Sequence, residues 1–240
     1  MDLSFSDEAQ AGWLVGRLSA RPAPPFALPL PAGLQHPLGE GEGRPLLLVP
    51  EDLPEAGIPL IVMFHGAGSN PARALERLGG EPARRGCLVL ATKSYDTTWD
   101  ILRAGYGFDV AVLDYALTAV FRRFPVDPRR IAIAGFSDGA SYALSLGVAN
   151  GDLFTHAMGF SPGFVVPGPR QGRPAVFVSH GREDAVLPID RCGRPVVALL
   201  REEGQAVRYL EFEGGHVLPP GMVTAALDDF GANARETGEA

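Results

Sequence analysis

Short apolar runs alternate with segments of helical spacing along most of this chain of 240 residues, and this alternation most restricts its fold. The runs have the length and the Pro, Gly or charged boundaries of strands buried on both faces, and they cover residues 46–49, 58–64, 87–91, 131–134, 157–160, 175–179 and 207–212. Apolar residues recur at helical spacing in 72–85, 109–124, 140–149, 190–203 and 221–234. The alternation predicts an α/β fold, with a mostly parallel central sheet and helices on both faces.

Residues 1–45 are richer in Pro and Gly than the rest of the chain. They predict an irregular N-terminal segment with an edge strand or two, for which Trp13, Leu14 and Val15 are the best candidate. No internal repeat and no linker between two cores is evident, and 46% apolar with 20% charged residues is typical of a globular protein. We therefore expect residues 1–240 to form a single domain.

Charge and targeting patterns narrow the possible partners. The net charge of -7 has no compensating basic block, which argues against a nucleic-acid partner. Acidic residues stand where a secretory signal would be basic, and no stretch approaches transmembrane length, so we expect a cytoplasmic protein without a membrane partner. Two isolated cysteines, Cys87 and Cys192, make no disulfide framework. These patterns leave both a monomer and a homodimer open.

One strand-to-helix junction carries the pattern G-x-S-x-G, at Gly135-Phe136-Ser137-Asp138-Gly139. It directly follows the apolar run 131–134 and opens into the helix predicted at 140–149. In this setting the pattern is typical of a nucleophile elbow, a turn so sharp that only glycine fits two residues either side of the serine. Such a turn exposes the Ser137 hydroxyl and aims the N-terminal amides of the helix at the group it attacks. The motif predicts an acyl-transferring enzyme.

Further candidates follow other strands, because ligands gather at the carboxyl ends of parallel strands. The 65–68 loop, His65-Gly66-Ala67-Gly68, follows the run 58–64, and its glycines let a backbone amide face the nucleophile. We expect the amide of Ala67 to form one half of an oxyanion hole and the amide of Asp138 the other. The side chain of Asp138 must then turn away or be hydrogen-bonded elsewhere.

The acid and the base are expected after the last two runs. Asp184 can receive a histidine N–H and hold the imidazole in the tautomer that serves the serine. His216 lies on a Gly-flanked loop and is the candidate general base, because it alone completes the chain order serine, acid, histidine. His65 and His180 also precede glycines in such loops, where we expect them to brace the loop.

Taken together, these motifs resemble those of the α/β-hydrolases, most closely the small phospholipase/carboxylesterase group. That group is similar to dienelactone hydrolases and to polyhydroxyalkanoate-depolymerase-type esterases. The resemblance runs from about Pro45 to the C-terminus and rests on the 65–68 loop, the G-x-S-x-G motif, the segment 180–189 and Gly214-Gly215-His216. It implies a serine carboxylic-ester hydrolase without a metal or an organic cofactor. Ser137 stands where dienelactone hydrolases use cysteine, and the signal peptide and disulfides usual in secreted depolymerases are not evident.

Substrate choice rests on fewer residues. Only the short Pro/Gly-rich stretch 162–173 separates two predicted strands where many lipases insert a helical lid, so we expect no large lid and an open site. Trp99 is the candidate wall of a substrate pocket, with a buried packing role as the alternative, and Tyr106 lies nearby. Small Ala67 and the missing lid favour small-molecule esters of short or medium acyl chains. The alternatives are a thioesterase or deacylase, a polyester or feruloyl-type esterase, and a binding module that has lost activity.

Overall fold

The structure, a computed structural model, describes residues 6–40, 43–55, 57–103 and 105–236. Within these ranges the strands are β1 (Leu34–Pro37), β2 (Leu46–Val49), β3 (Ile58–Phe64), β4 (Leu88–Thr92), β5 (Val126–Phe136), β6 (His156–Phe160), β7 (Ala175–Gly181) and β8 (Val207–Phe212). The α-helices are α1 (Asp7–Trp13), α2 (Pro71–Leu78), α3 (Glu81–Arg84), α4 (Phe108–Phe121), α5 (Asp138–Ala149), α6 (Gly193–Glu202) and α7 (Pro220–Glu236). A short 3-10 helix covers Asp100–Leu102.

The strands form one sheet in the order β1-β2-β4-β3-β5-β6-β7-β8. Strand β2 is antiparallel to both of its neighbours, β1 and β4. All the other pairs are parallel, so the carboxyl ends of β3 to β8 meet at one edge of the sheet. The predicted α/β fold with a mostly parallel sheet is confirmed.

Helices cover both faces of this sheet, as predicted. Side chains alternate along each strand, so Leu60 and Val62 of β3 enter one core while Ile61 and Met63 enter the other. Helices α4, α5 and α6 close the first core, and α2 and α7 close the second. Because both faces are covered, β3 is buried along its whole length, and the sheet is a rigid support for the loops at its carboxyl edge.

The N-terminal segment differs from the sequence prediction. Trp13, Leu14 and Val15 are not a strand, because helix α1 ends at Trp13 and its C-cap is Leu14. Ser6 caps this helix by accepting a hydrogen bond from the N–H of Ala9 at 3.2 Å, and acidic residues in the first turn suit the helix dipole. An edge strand does form in this region, but it is β1.

The helix predicted over 72–85 is two helices. Helix α2 ends at Leu78, and its C-cap Gly79 has a φ of 68° that other residues adopt at a cost. Helix α3 starts two residues later, with a proline in its first turn that would interrupt a continuous helix.

The region between β6 and β7 contains no helix, which agrees with the expected absence of a large lid. In the described ranges, none of the helices has both the length and the apolar character needed to cross a membrane. The single domain over residues 1–240 stays a prediction.

Candidate active site

The turn between β5 and α5 has the geometry of a nucleophile elbow. Ser137 has φ 59° and ψ -124°, a conformation that costs energy for any residue with a side chain. A Cβ atom on Gly135 would lie 2.0 Å from the carbonyl oxygen of Gly139. A Cβ on Gly139 would lie 2.5 Å from the carbonyl oxygens of Phe64 and His65. Both glycines are therefore required, because backbone passes where a side chain would begin.

Three predicted residues from three loops meet at this turn. His216 Nε2 lies 2.9 Å from Ser137 Oγ, and His216 Nδ1 lies 2.7 Å from Asp184 Oδ2. A carboxylate only accepts hydrogen bonds, so Nδ1 carries the proton and Nε2 is left to accept from the serine hydroxyl. Ser137, His216 and Asp184 thus form one continuous hydrogen-bonded chain.

Asp184 is buried and held on both carboxylate oxygens. Its Oδ1 accepts hydrogen bonds from the backbone N–H groups of Val186 at 3.0 Å and Leu187 at 2.8 Å. Burial by itself would raise the pKa of Asp184, but the hydrogen bonds from His216, Leu187 and Val186 outweigh it and leave the pKa below its usual value. The carboxylate is therefore charged at neutral pH and can stabilise an imidazolium.

His180 supports the acid from behind. Its fully buried Nε2 donates a hydrogen bond to the carbonyl oxygen of Leu187 at 2.7 Å and lies 3.3 Å from Asp184 Oδ2. Burial lowers the pKa of His180, which keeps the ring neutral. The sequence indicated that His180 braces its loop, but its contact with Asp184 depends on the folding of the 184–187 turn and could not be read from the motif.

The predicted oxyanion donors lie on the two segments next to Ser137. Asp138 is the first residue of α5, so its N–H has no acceptor within the helix. The 65–68 loop passes on the other side, where a Cβ on Gly66 would lie 3.4 Å from Ser137 Cβ. The roles of the Ala67 and Asp138 amides as oxyanion donors stay predictions.

The Asp138 carboxylate is hydrogen-bonded elsewhere, as the elbow requires. Its Oδ2 accepts a hydrogen bond of 2.6 Å from Thr98 Oγ1. Thr98 comes from the loop after β4, and its contact with Asp138 joins segments that lie 40 residues apart in the sequence. The neighbouring Thr97 accepts a hydrogen bond from the N–H of Gly68 at 2.6 Å, so the same loop also holds the 65–68 loop.

Trp99 packs in the core and does not form a pocket wall. It is fully buried, its ring stacks on Tyr142 at 4.8 Å, and its Nε1 donates to the carbonyl oxygen of His65 at 2.9 Å. The large ring fills the space beneath the 65–68 loop, which excludes contact with a substrate. The alternative packing role is the correct one.

His65 is also structural. Its Nδ1 donates to the carbonyl oxygen of Gly66 at 2.7 Å, and its Nε2 accepts from the N–H of Ser94 at 3.2 Å. Burial lowers the pKa of His65 to about 4. A neutral imidazole therefore connects the 65–68 loop to the loop after β4.

Tyr106 packs between the N-terminal segment and α5. Its ring lies 6.3 Å from that of Tyr142, and a Cβ on Gly16 would lie 2.7 Å from the Tyr106 ring. Burial raises the pKa of Tyr106 to about 12. These contacts join the N-terminal segment to α5, and a role for Tyr106 in substrate binding stays a prediction.

Solved structures of other proteins have the same architecture. Esterase PE8 superposes with a TM-score of 0.64 and 21% identity, over 78% of this chain and 96% of that one. A Bacillus cereus carboxylesterase gives a TM-score of 0.63 and 19% identity, over 79% of this chain and 94% of that one. A phospholipase/carboxylesterase from Dyadobacter fermentans gives a TM-score of 0.56 and 18% identity, over 81% of this chain and 99% of that one.

The chain has the α/β-hydrolase fold. This confirms the fold that the resemblance implied, and the similar structures include a carboxylesterase and a phospholipase/carboxylesterase. No family model and no curated protein matches the chain by sequence. At these identities the likeness shows the fold alone, so the chemistry rests on the residues of this chain.

Proposed function

We propose that this α/β-hydrolase is a serine carboxylic-ester hydrolase acting on small-molecule esters of short or medium acyl chains. The observation that carries the proposal is the hydrogen-bonded chain from Ser137 Oγ through His216 to the buried carboxylate of Asp184. Its position at a strained elbow is a second support, because strain is retained where function requires it.

Each residue has a defined part in the reaction. His216 Nε2 takes the proton of Ser137 as Oγ attacks the ester carbonyl, and the charge of Asp184 stabilises the imidazolium. The amides of Ala67 and Asp138 bind the oxyanion of the tetrahedral intermediate. His216 then protonates the leaving alcohol, and the acyl group remains on Ser137. Water, deprotonated by His216, cleaves this acyl-enzyme and releases the acid.

The surroundings of the triad favour modest acyl groups. The loop between β6 and β7 has no helix to cover the site, and Val186 and Val217 beside Asp184 and His216 are 65% and 50% exposed. These side chains offer a small apolar surface instead of a long tunnel. The similar structures named above as esterases support the same reaction class.

The decisive experiment combines active-site labelling with a substrate series. A fluorophosphonate should label the wild-type protein and leave Ser137→Ala unlabelled. p-Nitrophenyl esters from acetate to palmitate should be hydrolysed fastest at the short and medium chain lengths, and Ser137→Ala should lower kcat by roughly 10⁴-fold. Thioesters of matched chain length belong in the same series.

Three outcomes would contradict the proposal. Absence of labelling would indicate a binding module. Faster turnover of thioesters would reassign the leaving group, and a maximum at palmitate would refute the expected chain length.

A further inference from the structure

Arg77 brings a positive charge to the edge of the candidate site. It belongs to the last turn of α2, and long helical side chains point back toward the helix N-terminus, where the 65–68 loop lies. Its guanidinium carbon lies 4.1 Å from the centre of the Phe136 ring. The same ring also contacts His216, whose ring centre is 4.8 Å away. One aromatic ring thus separates the guanidinium from the imidazole that serves Ser137.

The surrounding residues leave this charge available. Arg77 lines a surface depression of about 560 Å³, whose other lining residues are Gly68, Ser69, Asn70, Arg73 and Glu76. Arg73 and Glu76 neutralise each other in an exposed ion pair of 2.8 Å. Among the described residues, no carboxylate lies within ion-pair distance of Arg77. The depression therefore carries one uncompensated positive charge.

The stacked position suits the binding of a planar anion. Arg77 is exposed, and a guanidinium resting on an aromatic face keeps its in-plane N–H groups for other partners. Those N–H groups form a fork that matches the two oxygens of a carboxylate. Stacking on Phe136 also restricts the side chain before a ligand arrives, so less conformational entropy is lost on binding.

The two sides of Ser137 differ in chemical character. Val186 and Val217 make the side of β7 and β8 apolar. On the side of β3, Arg77 lies next to the ring of Phe136 and, among the described residues, has no carboxylate within ion-pair distance. An ester whose reacting carbonyl lies at Ser137 would meet an apolar surface at one end and a cation at the other.

We propose that Arg77 is a specificity-determining residue that binds a carboxylate of the substrate. The preferred substrates are then esters that carry a free carboxylate in addition to the ester group. The inference rests on the proposed esterase function and specifies its substrate. Arg77 takes no part in the bond changes at Ser137, so its removal should leave the turnover of neutral esters intact.

The test uses matched esters that differ in one carboxylate. On the acyl side, mono-p-nitrophenyl adipate carries the free carboxylate and p-nitrophenyl hexanoate lacks it. On the alcohol side, 4-carboxyphenyl butyrate carries it and phenyl butyrate lacks it. In one of the two pairs, Arg77→Met should lower kcat/KM of the acidic ester by at least about tenfold, mainly through KM, with the neutral ester within about twofold.

Control variants separate charge from packing. Arg77→Lys should recover part of the preference, because it keeps the charge but not the planar fork. Arg73→Lys should leave the preference unchanged, because a cation at that position still pairs with Glu76 and the charge of Arg77 stays uncompensated. Added salt should weaken the preference in the wild-type protein.

The possible failures are distinguishable. Equal losses for acidic and neutral esters in Arg77→Met would mean that Arg77 only supports Phe136, and unchanged rates for both would mean that it binds nothing. Either result overturns the inference while the esterase function stands. A wild-type protein that is neither labelled by fluorophosphonate nor active on neutral esters would refute the function itself.

Discussion

Ser137→Gly should stabilise the protein while abolishing its activity. The φ of 59° and ψ of -124° at this residue are reached by glycine without steric cost, whereas any side chain there stores strain of order 1–3 kcal/mol. Glycine also loses more entropy on folding, about 0.5–1 kcal/mol. Relative to Ser137→Ala, which loses the same hydroxyl but keeps Cβ, we expect a gain of about 1–2 kcal/mol in the free energy of unfolding.

The assay is thermal and urea unfolding of the two inactive variants under identical conditions. For a protein of this size the gain corresponds to a rise in Tm of about 2–8 °C. Ser141 in the interior of α5 provides the matched control, since there glycine should be less stable than alanine by about 1 kcal/mol. A Ser137→Gly variant no more stable than Ser137→Ala would show that the elbow is not strained and would remove one support of the proposed function.

Other consequences of the site concern its supporting residues. The pKa of His65 is lowered from 6.5 to about 4 by burial, so the folded state disfavours its protonation, and the stability it contributes above pH 6.5 is lost as the pH falls toward 4. Burial lowers the pKa of His156 to about 4 as well, so the readout is the difference in free energy of unfolding between the wild-type protein and His65→Asn, which should change by about 3 kcal/mol over this pH range in urea unfolding. His180→Ala should lower kcat about tenfold with little change in KM, because the 184–187 turn that holds Asp184 loses the hydrogen bond from His180 to the carbonyl oxygen of Leu187, and His180→Gln should recover part of the rate. Thr98→Val should lower kcat about tenfold with little change in KM, because the Asp138 carboxylate is released near the developing oxyanion, whereas Thr98→Ser should behave as wild type.

The site residues that could be predicted from the sequence are those that lie directly after the carboxyl end of a strand. Apolar runs marked where β5, β7 and β8 end, and parallel pairing brings those ends together. Ser137, Asp184 and His216 each lie just beyond such an end, so their meeting required no knowledge of side-chain packing. The elbow glycines were predictable for a related reason, because the steric limit they satisfy acts within five consecutive residues.

The sequence predictions that were wrong involve contacts between segments distant in sequence. Trp99 is a residue type that is common in pocket walls. It instead fills a space beneath the 65–68 loop that exists only once β3 and α5 have packed together. Trp13 and its neighbours have β propensity, yet the capping by Ser6 and the packing of Trp13 on the core favour a helix that ends there. Local preference is a weak prior that tertiary contacts override.

The loop after β4 shows why such distant contacts matter for chemistry. Its Ser94 bonds to His65, its Thr97 bonds to Gly68, and its Thr98 bonds to the side chain of Asp138. The first two contacts hold the segment that carries Ala67, and the third holds the residue that opens α5. The two proposed oxyanion donors, which come from β3 and β5, are therefore positioned relative to one another by a third segment that touches no reacting atom. Because a donor contributes only when it is aligned with the oxyanion, distortion of this loop should act on kcat more than on binding.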